Sequence, residues 1–110
     1  MEPLSLRVPV KEEVFAEKIH AYTTPRETEN TRVKDLMDLA LLLEEGVDAE
    51  KAKIAIIGVF NIRATHDPPR RLADPPASWS AIFEALAFEA TVTLTLEEAF
   101  ARVREFYSAL

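Results

Sequence analysis

The sequence has no cysteine and only two glycines. The first absence removes disulfides, thiolate zinc sites and thiol nucleophiles together. The second rules out a glycine-rich phosphate loop, since Gly46 and Gly58 stand alone. Two histidines, His20 and His66, are too few for a three-histidine metal site. No apolar run reaches the roughly 18 residues that a membrane span requires. The start, Met1-Glu2-Pro3-Leu4, has neither the basic end nor the apolar stretch of a signal peptide. Positive charge is in deficit. A net charge of −6 speaks against a general nucleic-acid-binding surface, because phosphate contact needs local positive charge.

What is present describes a small globular domain. The 110 residues are 48% hydrophobic and 29% charged, enough apolar material for one closed core and too much for disorder. A cytoplasmic protein is expected. Leu4 to Val10 alternates apolar and polar residues and predicts a short strand, with Pro9 restricting it to an edge or a strand end. From Val10 the period becomes helical, with Val14, Phe15, Lys18, Ile19 and Tyr22 on one stripe, and Pro25 sets its end. Thr23 to Thr31 is polar and reads as a loop.

A second helix is expected over Val33–Glu45, capped by Asn30 or Thr31 and closed by Gly46. Asp48 caps a third, Ala49–Ile62, whose centre is apolar all round. Ala64 to Pro76 holds four of the seven prolines and reads as a long loop. A fourth helix follows over Ala77–Ala90, then an extended connection or short strand over Thr91–Leu94. Thr95-Leu96-Glu97-Glu98 is a capping box that opens the last helix. The fold class is therefore mainly α: a single-domain bundle of about five helices behind a short N-terminal strand.

The informative residues break the binary pattern. Lys18 sits in the middle of an apolar stripe, either snorkelling to the rim or holding an ammonium at the edge of a cleft. The second helix is apolar around most of its circumference, and its first two turns carry a narrow polar window of Lys34, Asp35 and Asp38. Asp35 suits the helix N-terminus, and Lys34 with Asp38 forms an i,i+4 pair. A short connection makes the first two helices antiparallel neighbours, so Lys18 can approach that window. A lysine beside two carboxylates suits a phosphate or a metal-phosphate ligand. Other residues carry less. His20 reads as solvated, His66-Asp67-Pro68-Pro69 as a turn, Arg70-Arg71 as a solvated basic pair and Trp79 as a core anchor.

Val14-Phe15-Ala16-Glu17-Lys18-Ile19-His20-Ala21-Tyr22, followed by Thr31-Arg32-Val33-Lys34-Asp35-Leu36-Met37-Asp38-Leu39, resembles the abortive-infection AbiEii-type toxin nucleotidyltransferases. The likeness lies in an A-E-K-hydrophobic-H-A helix and an R-x-K-D-L-x-D-L helix. It implies nucleotidyl transfer from a nucleoside triphosphate with Mg²⁺, in a bacterial toxin that has an antitoxin. It also implies that Lys18 and Lys34 are nucleotide-binding, and that Asp38 and Asp35 are catalytic carboxylates.

The family's Gly-Gly segment and its metal-binding D-x-D pair have no counterpart here. The five aspartates are Asp35, Asp38, Asp48, Asp67 and Asp74, and no two are spaced D-x-D. The chain thus resembles the family's helical C-terminal domain with the N-terminal catalytic domain absent. It is expected to hold no metal and to be inactive alone. A free-standing interaction module, a homodimer, or the partner of a separate catalytic chain are the other expectations.

Overall fold

A computed structural model describes residues 10–25 and 28–110. The expected strand over Leu4 to Val10 lies outside the described residues, except that Val10 opens the first helix. Five α-helices follow: α1 Val10–Thr23, α2 Glu29–Glu45, α3 Ala49–Arg63, α4 Trp79–Ala90 and α5 Leu96–Ser108. Among the described residues there is no strand, and 92–95 form an extended connection.

The helix ends follow local chemistry. Asp48 caps α3, its side chain accepting from the Lys51 amide at 2.9 Å. Thr95 and Glu98 close the capping box of α5 with reciprocal bonds of 3.1 and 2.9 Å. Gly46 ends α2 at φ +103°, a backbone angle that side-chain-bearing residues rarely adopt. α2 starts four residues earlier than the apolar pattern suggests. Its cap is Thr28, whose hydroxyl accepts from the Thr31 amide, in place of Asn30 or Thr31. α4 starts two residues later than expected, because Ala77 and Ser78 are used in a tight turn closed by bonds from Trp79 to Pro76 and from Ser80 to Ala77.

The helices pack within an envelope of 46 × 28 × 24 Å. α3 packs on α1, α1 on α2, and α2 on α4 and α5. Two helices therefore sit between neighbours, and their apolar stripes are the most deeply buried. Phe15, Ala16 and Ile19 of α1, and Val33, Leu36, Leu39 and Ala40 of α2, are fully buried. Phe83 of α4 and Val103 of α5 close the far side. Trp79 is a core anchor, as expected, edge-on to Tyr22 at 6.0 Å. Val14 lies at the margin of its stripe and is exposed.

α3 ends the stack and explains why its centre is apolar all round. Ala52, Ala55, Ile56, Val59 and Phe60 face inward, while Ile54, Ile57 and Ile62 are 66%, 51% and 85% exposed. The outer isoleucines take no part in the core.

Candidate functional site

The interface of α1 and α2 brings the pattern-breaking residues together. Lys18 Nζ lies 2.8 Å from Asp38 Oδ2 and 3.2 Å from Asp35 Oδ1. Lys34 reaches Asp38 from the outer side at 3.5 Å. Asp35 and Asp38 are three apart on α2, nearly one turn, so both carboxylates point at the single ammonium arriving from α1. The bond to Asp38, then the field of both carboxylates, outweighs partial burial and holds the Lys18 ammonium above its ordinary pKa.

Burial separates the two aspartates. The Asp35 side chain is 7% exposed, and the Asp38 side chain 28%. Lys18 is 30% exposed and Lys34 65%. A ligand can thus meet Lys18, Asp38 and Lys34, whereas Asp35 stands behind them and sets the position of Lys18. The site is a lysine held on a carboxylate pair, open on one side. Its four formal charges cancel, so an arriving anion meets donors without a net repulsive field.

Mg²⁺ does not fit these residues. A divalent ion in a nucleotidyl-transfer site takes clustered carboxylate oxygens. Here both carboxylates are engaged by ammonium groups, and among the described residues no group of three His, Asp or Glu side chains could hold a metal.

Arg32, from the same stretch of sequence as the polar window, has a different task. Its guanidinium donates to the Thr24 carbonyl and ties the connection after α1 back onto α2. It also lines, with Tyr22, Arg71 and Trp79, a cavity of about 390 Å³. Burial pushes the Tyr22 phenol up to about 12, against the opposing charge of Arg32.

His20 is not solvated. It is 8% exposed, with Nε2 2.8 Å from Thr65 Oγ1 and its ring edge-on to Phe60 at 5.0 Å. His66 lies over it at 4.8 Å and bonds Thr23 Oγ1 at 2.7 Å through Nε2. The segment after α3 folds back over the end of α1, buries the His20 ring and leaves His66 half-buried, a contact between residues more than forty positions apart. Arg70 and Arg71 are exposed, as expected of a solvated basic pair.

This histidine clasp has a pH signature. Burial, then the neighbouring charge of His66, lowers the His20 pKa below the ordinary 6.5. The unfolded chain therefore binds the extra proton first as pH falls. Stability from this group is complete above pH 6.5 and declines as pH drops below it. His20→Gln should flatten the decline of the urea midpoint between pH 7 and pH 5. An unchanged slope would show that other groups carry it.

The family model of the nucleotidyl transferase AbiEii toxin, of a type IV toxin–antitoxin system, matches residues 1–106. The chain belongs to the AbiEii family. It is a nucleotidyltransferase-like protein of the toxin–antitoxin type, and an antitoxin is the partner that membership suggests. No curated protein and no solved structure matches the chain. No helix among the described residues is long and apolar enough to cross a membrane. The AbiEii match spans both pattern-breaking helices, α1 and α2, so the lysine–carboxylate cluster lies within the family's own sequence.

Proposed function

We propose that the α1–α2 face is the phosphate-contacting wall of an AbiEii-type nucleotidyl-transfer site. The observation that carries this reading is the half-exposed Lys18 ammonium held between Asp35 and Asp38 on an otherwise apolar interface. In nucleotidyl transfer an acceptor hydroxyl attacks the α-phosphorus of a nucleoside triphosphate and pyrophosphate leaves. Negative charge builds on the phosphoryl oxygens, and a fixed ammonium lowers the energy of that state. Lys18 supplies this charge, with Lys34 at the outer edge. Asp38 is the carboxylate that faces the acceptor, as base or orienting group. Asp35 is a positioning residue.

The metal-binding carboxylates have no place in this set, so the reading assigns them to a separate catalytic unit that this helical domain completes. The domain alone is then inactive. An acidic surface also leaves the hold on any nucleic-acid acceptor to that unit. The absence of a D-x-D pair from the sequence favours a second reading, an interaction module or the partner subunit of a split enzyme.

Two measurements test the first reading. Nucleoside triphosphate with Mg²⁺, titrated into isotopically labelled chain, should shift NMR resonances at Lys18 and Asp38. Shifts that avoid both residues would remove the proposed site. The chain alone should incorporate no labelled nucleotide into a nucleic-acid acceptor. Incorporation that Lys18→Ala abolishes would overturn the assignment of the metal carboxylates to a second unit.

A further inference from the structure

The cavity of about 390 Å³ beside Arg32 has the volume of a small-molecule site. It lies where the end of α1 and the start of α2 meet the proline-rich segment before α4. Its inner wall is apolar, with Tyr22, Leu72 and Trp79 all buried. Arg71 and Asp74 stand exposed at its mouth. Lys18 does not line it, so what it binds is independent of the nucleotidyl-transfer reading.

Arg32 is the residue left unfinished there. One arm of its guanidinium donates to the Thr24 carbonyl. Its Nε is buried and meets no hydrogen-bond acceptor among the described residues. No ion pair among them includes it. Buried polar atoms are nearly always satisfied, and a buried donor without an acceptor keeps its desolvation cost until a bound group removes it. Arg32 also stands in the first turn of α2, where the helix dipole adds to its positive charge.

The surrounding groups define what would complete it. Arg71 and Asp74 offset one another, which leaves Arg32 as positive charge without a counter-ion in a chain of net charge −6. The Tyr22 phenol, pushed up to about 12 by burial, stays protonated at neutral pH and can donate. Donors beside a low-dielectric wall call for an oxyanion, and the wall strengthens the attraction. A bare ion would leave Leu72 and the two aromatic rings against water. An oxyanion with an apolar body covers them as well.

We infer that the cavity binds a small organic oxyanion, a carboxylate or phosphate carried on an apolar ring, with Arg32 as its counter-ion.

Trp79 is the only tryptophan, so its emission reports on this cavity directly. Benzoate and phenyl phosphate, titrated into the whole chain, should each change that emission saturably, and the tighter of the two tells carboxylate from phosphate. Benzyl alcohol lacks the charge and inorganic phosphate lacks the ring, so each should bind at least about tenfold more weakly. Arg32→Lys keeps the charge and loses the planar fork, and should weaken the better oxyanion by about tenfold. Arg71→Ser, at an exposed position, should weaken it by about threefold with an unchanged thermal midpoint. Three results would overturn the proposal. One is no saturable change with either oxyanion up to about 10 mM. Another is benzyl alcohol binding as well as benzoate, or both arginine variants binding like the wild type. The third is a response that appears only in Glu27→Gln, which would make the chain's own carboxylate the counter-ion.

Discussion

Replacing Lys18 with alanine is expected to lower the unfolding free energy by about 2 kcal/mol, a large loss for one half-exposed surface-edge residue. The cost comes from what remains. Asp35 is 7% exposed and loses the ammonium 3.2 Å away that neutralises it. A buried carboxylate that loses one of its partners keeps its desolvation cost with less to offset it. Solvent at Lys18 and Asp38 keeps the loss below that of a fully buried pair. Urea unfolding at neutral pH measures it. Lys18→Ala combined with Asp35→Asn should recover a good part, because the second change removes the buried charge. A single-variant loss within experimental error would mean that Lys18 does not hold the interface. The sign with pH is also defined. The Lys18 pKa is raised in the folded chain, so its contribution is complete below pH 10.5 and fades as pH rises past the folded value. The single variant should therefore differ least from the wild type at strongly alkaline pH.

Phe15→Ala is expected to cost about 4 kcal/mol, the largest effect of any single truncation considered. Phe15 is fully buried on α1, and its ring meets Phe106 of α5 edge-on at 5.2 Å. It thus joins the α1 side of the stack to the far side across α2. Truncation leaves a cavity between helices that cannot close without moving one of them. A domain of this size has roughly 5–15 kcal/mol in total, so the variant should be partly unfolded near body temperature. Phe88→Ala is the control. That ring is 88% exposed, and its removal should leave the thermal midpoint unchanged. A Phe15 variant that melts with the wild type would contradict the packing described for α1.

Local chemistry made much of the fold legible. Asp48, Gly46 and the Thr95–Glu98 box each act within four residues, and each works as its sequence suggests. The start of α2 was harder to read because Thr28, Asn30 and Thr31 all offer a capping oxygen, and only backbone geometry selects among them. Lys18 stood out because a charge inside an apolar stripe must be neutralised by something, and the narrow polar window on α2 was the nearest supply. The difference between Asp35 and Asp38 was not legible. It depends on how far α1 overlaps each turn of α2, a tertiary quantity. His20 was misread for the same reason. One face of α1 is covered by α2, and a second by α3 and the segment after it, so a position that is polar on a single-stripe wheel is buried in a helix with two neighbours.

The unequal burial of the two aspartates bears on how such a sequence can change over time. Lys18 and Asp35 each add to the stability of the fold, so losing either alone is a step downhill, and a paired exchange is the milder change. Lys34, at 65% exposure, carries no such constraint. If the proposed phosphate-contacting role holds, a descendant freed from it would keep its lysine and inner aspartate for the sake of the fold, while the outer lysine drifted first. On that proposal, persistence of Lys34, more than that of Lys18, is the mark by which a lineage still under selection for chemistry would be told from one that merely folds.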